Sequence, residues 1–162
     1  MTNLNTSQEW EPDSFPLQCL PSPPRRILVV EDDADIRRLN AELLLRSGFE
    51  VEAVEDGAAA WDALCTDSYD LMITDNHMPR LTGLDLLKKL YATRLTLPVI
   101  MATGEMPAHQ FAPSPWLRPE AVLLKPYTPA ELLRTVKEIL RTTDGARAPI
   151  APPDSADGLQ PG

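Results

Sequence analysis

The chain has only two cysteines in 162 residues, Cys19 and Cys65, so it has no disulfide framework and no Cys spacing of the zinc-binding kind. His77 and His109 stand apart from each other and from both cysteines, which argues against a zinc site. Basic residues are in deficit, with 15 Lys plus Arg against 24 Asp plus Glu and a net charge of −9. A nucleic-acid backbone or an anionic membrane is therefore a poor partner, because both require clustered Lys and Arg. No run approaches the roughly 18 uninterrupted apolar residues of a membrane span, and the first twenty residues lack the basic-then-apolar order of a signal peptide. These absences together predict a soluble, cytoplasmic protein.

Proline is plentiful but unevenly placed. Five of the 17 prolines fall in residues 1–24 and four in residues 145–162. Such polar, Pro-rich ends cannot bury enough apolar surface to offset the entropy of ordering, so residues 1–24 are expected to be a disordered leader and residues 145–162 a disordered tail. Trp10, Phe15 and Leu17 could make a short docking peptide, although a solvated leader is the plainer reading. The fold is expected within residues 25–144, which hold 14 basic and 19 acidic residues.

Within that span, short apolar runs alternate with segments of helical period, the pattern of repeated βα units on a parallel sheet. Residues 27–30 form an unbroken β-branched and Leu run, as in a strand covered on both faces. Ile36, Leu39, Leu43 and Leu44 then fall on one helical face, and Gly48 supplies the stop. Residues 49–54 predict a second strand, and Asp56-Gly57 opens an Ala-rich helix ending near Thr66. Further strands are predicted over 71–74, 99–102 and 121–124. A helix carrying Leu84, Leu87 and Leu90 follows the third. The last helix begins at Thr128-Pro129-Ala130-Glu131, a capping box with Pro at its first position. Between the fourth and fifth strands, Pro107, Pro113, Pro115 and Pro119 interrupt the chain. An interior proline costs a helix about 3 kcal/mol, so the fourth helix is expected to be broken or very short, with one or two turns near residues 107–111.

In an open parallel sheet, ligands bind beyond the carboxyl ends of the strands. Glu31, Asp32 and Asp33 follow the first strand, Asp75 the third, Thr103 the fourth and Lys125 the fifth. Glu31, Asp32 and Asp75 in one crevice would repel one another unless a cation lay between them, and hard oxygen donors without His or Cys side chains suit Mg²⁺. Lys125 and Thr103 add a positive charge and a hydroxyl, which suit an anion. The set describes phosphoryl transfer onto a carboxylate, with Asp75 as nucleophile. Read alone, the Glu31-Asp32-Asp33 run serves equally as favourable charge at a helix start.

With those residues in place, the chain resembles the receiver domains of two-component response regulators over about residues 26–141. The matching text is Ile27-Leu28-Val29-Val30-Glu31-Asp32-Asp33, Asp70 to Asp75 with Met78-Pro79 and Gly83, Pro98 to Gly104, and Lys125-Pro126-Tyr127. The resemblance implies a flavodoxin-like five-stranded parallel sheet of order 2-1-3-4-5 with helices on both faces. It implies Asp75 as phosphoacceptor, with Thr103 and Lys125 acting on the phosphoryl group. It further implies Mg²⁺ held at Glu31, Asp32, Asp75 and the backbone carbonyl of His77. Gly104 would leave the phosphoryl group open to water and partners. The implied donor is a histidine kinase or a histidine phosphotransfer protein, and the output is protein binding or onward transfer. About 20 residues follow Arg141, so a stand-alone receiver is expected; no pattern sets its oligomeric state or identifies the downstream protein.

Two features depart from the family pattern. Val122 stands where Tyr or Phe is usual, three residues before the lysine, and the fourth helix is interrupted. Both favour an alternative, a receiver-fold interaction module without phosphorylation-driven switching. Thr82 also replaces a common Asp, but Thr caps a helix equally well.

Overall fold

Strand β1 (Arg26–Val30) leads into helix α1 (Ala34–Arg46), and β2 (Glu50–Val54) into α2 (Gly57–Thr66). Strand β3 (Leu71–Asp75) precedes α3 (Gly83–Ala92), β4 (Val99–Thr103) comes before β5 (Ala121–Leu124), and α4 (Pro129–Ala146) closes the chain of elements. The computed structural model describes residues 23–106 and 117–146. Most of the expected leader and of the expected tail and the Pro-interrupted segment around residues 107–111 lie outside the described residues.

All strand pairs are parallel, and the order is β2-β1-β3-β4-β5. Side chains alternate across each strand, so β1 sends Ile27 and Val29 to one face and Leu28 and Val30 to the other. The first pair packs with Leu71, Ile73 and Ile100 under Leu44 of α1 and Leu132 and Val136 of α4. The second packs with Met72 and Met101 under Ala60 of α2 and Leu86 of α3. Burial on both faces is why the central strands read as continuous apolar runs, and β3 and β4 are buried at every position.

The helix starts follow local chemistry. Asp33 caps α1, accepting from the N–H groups of Asp35 (2.9 Å) and Ile36 (3.1 Å). Thr82 and Asp85 form a reciprocal capping box at α3, and Thr128 and Glu131 do the same at α4. One expectation fails on α1. Leu39, placed by its spacing on the core face, is 61% exposed, whereas Asn40 beside it is buried. The amide of Asn40 donates to the Tyr127 hydroxyl at 2.9 Å, and this bond satisfies the polar residue on the inward face of the helix. The third and fourth strands each run one residue further than expected, taking in Asp75 and Thr103. Among the described residues, no helix is long and apolar enough to cross a membrane.

Candidate functional site

Strand register gathers the site. Val30 pairs with Thr74, so Glu31 emerges beside Asp75. Asp75 in turn pairs with Ala102, and Thr103 with Leu124, so Lys125 follows one position beyond. Four chain segments far apart in sequence therefore end at one rim.

Lys125 Nζ donates to Glu31 Oε2 and to Asp75 Oδ2, each at 3.0 Å. The other oxygen of Asp75, Oδ1, accepts from the backbone N–H of His77 at 3.1 Å. Two donors thus orient the Asp75 carboxylate, itself only 7% exposed. Carboxylate oxygens of Glu31, Asp32 and Asp75 lie within 4.8 Å of one another. Glu31 and Asp75 are buried and Asp32 is exposed, so the cluster has an open side toward solvent. Burial pushes the Glu31 carboxyl above its ordinary value, against the opposing pull of Lys125. For Lys125, burial works to lower the ammonium, but its hydrogen bonds to the two acids outweigh that and hold it above the usual lysine value.

The expected residues separate into roles. Glu31, Asp75 and Lys125 are joined directly, and Asp32 completes the oxygen cluster. Asp33, the third acid of the run, is the helix cap. His77 contributes its backbone next to Asp75, while the residue itself is exposed. Thr103 is fully buried, and its hydroxyl accepts from the Glu105 N–H at 3.5 Å. An ideal Cβ built on Gly104 meets nothing within 4 Å, so space adjoins the backbone there. Three carboxylates against one ammonium leave an excess of two negative charges on hard oxygen donors, which fits a magnesium ion.

Neighbouring residues hold this rim in place through contacts that the sequence does not display. Gly83 opens α3 against Asp75: a Cβ there would lie 2.6 Å from the Asp75 carbonyl oxygen, so only glycine permits the approach. Asn76, buried directly after Asp75, accepts from the Leu84 N–H through Oδ1 at 3.2 Å and from the Gly83 N–H through its carbonyl at 3.3 Å. A polar side chain at the end of an apolar strand was the available signal. Arg37 donates to the Glu31 carbonyl at 2.8 Å. Tyr127, bonded to Asn40, ties the loop after Lys125 to α1, and burial raises its phenol above the ordinary value. Beside it opens an apolar groove of about 660 Å³, lined by Ile36, Leu39, Leu43, Pro126, Tyr127 and Pro129 among others.

Comparison with known proteins agrees with this geometry. A family profile described as the response regulator receiver domain matches residues 27–137. The response regulator MprA of Mycolicibacterium vanbaalenii is 34% identical over 126 residues, 76% of this chain and 54% of that protein. The chain spans about half the length of the curated relatives it matches. A CheY-like response regulator receiver domain protein from Methanospirillum hungatei superposes with a TM-score of 0.72 at 27% identity, covering 76% of this chain and 99% of that one. The response regulator TrrA of Thermotoga maritima, solved in complex with Mg²⁺-BeF, gives a TM-score of 0.62 at 28% identity, covering 71% and 98%.

Proposed function

The chain belongs to the response regulator receiver domain family, and we propose that Asp75 is its phosphoacceptor, taking a phosphoryl group from a histidine kinase or a histidine phosphotransfer protein. The observation that carries this reading is the pair of 3.0 Å bonds from one ammonium to Asp75 and Glu31 in an otherwise acidic pocket. In the transfer, an Asp75 carboxylate oxygen forms the new O–P bond as the P–N bond of the donor phosphohistidine breaks, and the released imidazole takes a proton from solvent. Lys125 then exchanges its contact with Asp75 for one with the phosphoryl oxygens. Thr103 supplies a hydroxyl donor from the neighbouring strand end, and the His77 N–H steadies the carboxylate. Such a reaction asks for positioning and charge stabilisation more than covalent work by the protein.

Glu31, Asp32, Asp75 and the His77 carbonyl would hold Mg²⁺, in keeping with the oxygen-only donor set and with the Mg²⁺-BeF complex of TrrA. When bound, the ion supplies positive charge that offsets repulsion between the acids and the incoming phosphoryl group. The apolar groove beside Tyr127 adjoins Lys125 and offers the donor protein a seat next to the acceptor. Signalling then proceeds by protein contact or onward phosphotransfer in the cytoplasm.

Val122, half-buried on β5, favours a second reading, since the ring usual at that position is missing. On that reading the chain is an interaction module that does not switch. Beryllofluoride with Mg²⁺, a phosphoryl mimic, separates the two. A working receiver shifts its amide resonances both around Asp75 and along β4 and β5; shifts confined to the Asp75 loop support the module. Acetyl phosphate should label the protein on Asp75, and Asp75→Asn should reduce labelling to background. Equal labelling of the Asn variant would remove Asp75 from the role.

A further inference from the structure

Helix α4 turns Leu132, Val136, Ile139 and Leu140 into the core, and its outer side carries a cationic stripe. Arg134, Lys137 and Arg141 are all exposed and recur at i, i+3 and i+7. None of the three forms an ion pair with a described residue. With Ala130, half-buried Leu133 and Glu138 they line a shallow groove of about 500 Å³. Its lining holds three cations and one anion, in a chain whose net charge is −9.

The complementary segment lies in the same chain. Residues 1–24 contain Glu9, Glu11 and Asp13 and no Lys or Arg. Those acids are interleaved with Trp10, Phe15 and Leu17 over residues 9–17, which lie outside the described residues. Pro12 and Pro16 restrict the residues before them to extended backbone, which reduces the entropy lost on docking.

Geometry makes the encounter local. Arg25, two residues after the first described one, donates to Asp144 near the carboxyl end of α4, so the leader joins the fold beside that helix. From Asp144 to Arg134 the helix rises about 15 Å. From Pro23 back to Leu17, six extended residues reach about 20 Å, and residues 9–15 reach further. The connecting chain is short enough to keep the local concentration of one surface at the other high.

We propose that residues 9–17 dock on the outer side of α4, with Glu9, Glu11 and Asp13 pairing with Arg134, Lys137 and Arg141, and Trp10 or Phe15 packing over Leu133 between the arginine and lysine stems. The leader is then an intramolecular ligand that any other acidic partner of this helix must displace. This inference does not depend on phosphorylation of Asp75.

The test uses the full chain with Cys19→Ser and Cys65→Ser and a nitroxide attached at Gln8→Cys. Docking predicts selective loss of amide intensity along α4 from Arg134 to Arg141, with α2 on the opposite side of the sheet spared. The reversal Arg134→Glu, Lys137→Glu and Arg141→Glu should abolish that loss, and adding Glu9→Lys, Glu11→Lys and Asp13→Lys should restore it. Because the reversed residues are exposed, the same spectra verify that the variants remain folded. Broadening no greater on α4 than on α2, or unchanged by charge reversal, overturns the proposal. So does broadening that arises only when labelled chain is mixed with isotope-enriched unlabelled chain, which would assign the surface to a second copy.

Discussion

At the amino ends of the strands, Arg25 pairs with Asp70 and Asp144, and Arg26 reaches Glu50, Glu52 and Asp67. At the carboxyl ends, a single ammonium faces Glu31 and Asp75, with Asp32 alongside. Both rims belong to the same sheet and both are rich in acids. At the amino rim, two arginines are shared among five acids on side chains that are between 23% and 56% exposed, so water and salt already share in the stabilisation. At the carboxyl rim the acids also outnumber the cation, but there Glu31 and Asp75 are nearly out of solvent. In the first arrangement solvent screens the excess of acids. The second keeps unmet negative charge away from solvent, and an environment of that kind favours added cations and reactive chemistry.

The most direct way to break this contrast is Lys125→Met, which removes the charge while keeping the apolar stem. Two buried carboxylates then lose their only cationic side-chain partner among the described residues, and stability in EDTA should fall by about 2–3 kcal/mol, below the full cost for a completely buried pair because Lys125 is partly exposed. Saturating Mg²⁺ should restore part of the loss, since an ion bound to the folded state alone stabilises it by mass action. Urea unfolding with and without Mg²⁺ measures both effects. No loss in EDTA would mean that the acids do not depend on Lys125.

Much of this arrangement was legible in the sequence, for identifiable reasons. The runs at residues 27–30 and 99–102 encode strands buried on both faces, and Asp75 at the end of such a run marks an acid with no immediate helix to cap. The Thr128 to Glu131 box was legible because it is local. What remained hidden depends on register or on contacts distant in the chain. Inward-facing Asn40 is satisfied by the hydroxyl of Tyr127, 87 positions later, which a count of apolar spacing on α1 does not contain. Gly83 reads as an ordinary loop glycine until the Asp75 carbonyl is found 2.6 Å from where its Cβ would lie. Lys125 was readable as an anion-facing cation, yet its bond to Glu31 follows only once β1, β3, β4 and β5 are in register.

A carboxylate with enough donors sharpens the comparison at intermediate scale. Asp85 accepts from the backbone N–H of Thr82 at 3.0 Å and from its hydroxyl at 2.9 Å, and these bonds hold its carboxyl below the ordinary Asp value. A carboxyl with a depressed folded pKa adds stability above the unfolded value, near about pH 4, and loses it as pH falls through the lower folded value. Asp85→Ala should therefore cost about 1 kcal/mol at neutral pH. The difference from the unsubstituted protein should shrink toward strong acid in parallel urea titrations. A constant difference at all pH values would locate the effect in packing.

The smallest effect belongs to the amino rim. Arg25→Ala removes contacts to both Asp70 and Asp144, yet Arg25 is 31% exposed and Asp144 is 50% exposed at its side chain. The loss should stay below about 1 kcal/mol. It should fade as sodium chloride is raised, because screening acts fully on exposed pairs and weakly on buried ones. Lys125→Met should show the opposite dependence, little affected by sodium chloride and strongly affected by Mg²⁺. Thermal unfolding of both variants across the two salts reads this crossover directly. If Arg25→Ala costs as much as Lys125→Met, or ignores sodium chloride, the two rims differ in composition only, and burial cannot be what separates a structural ion pair from a site.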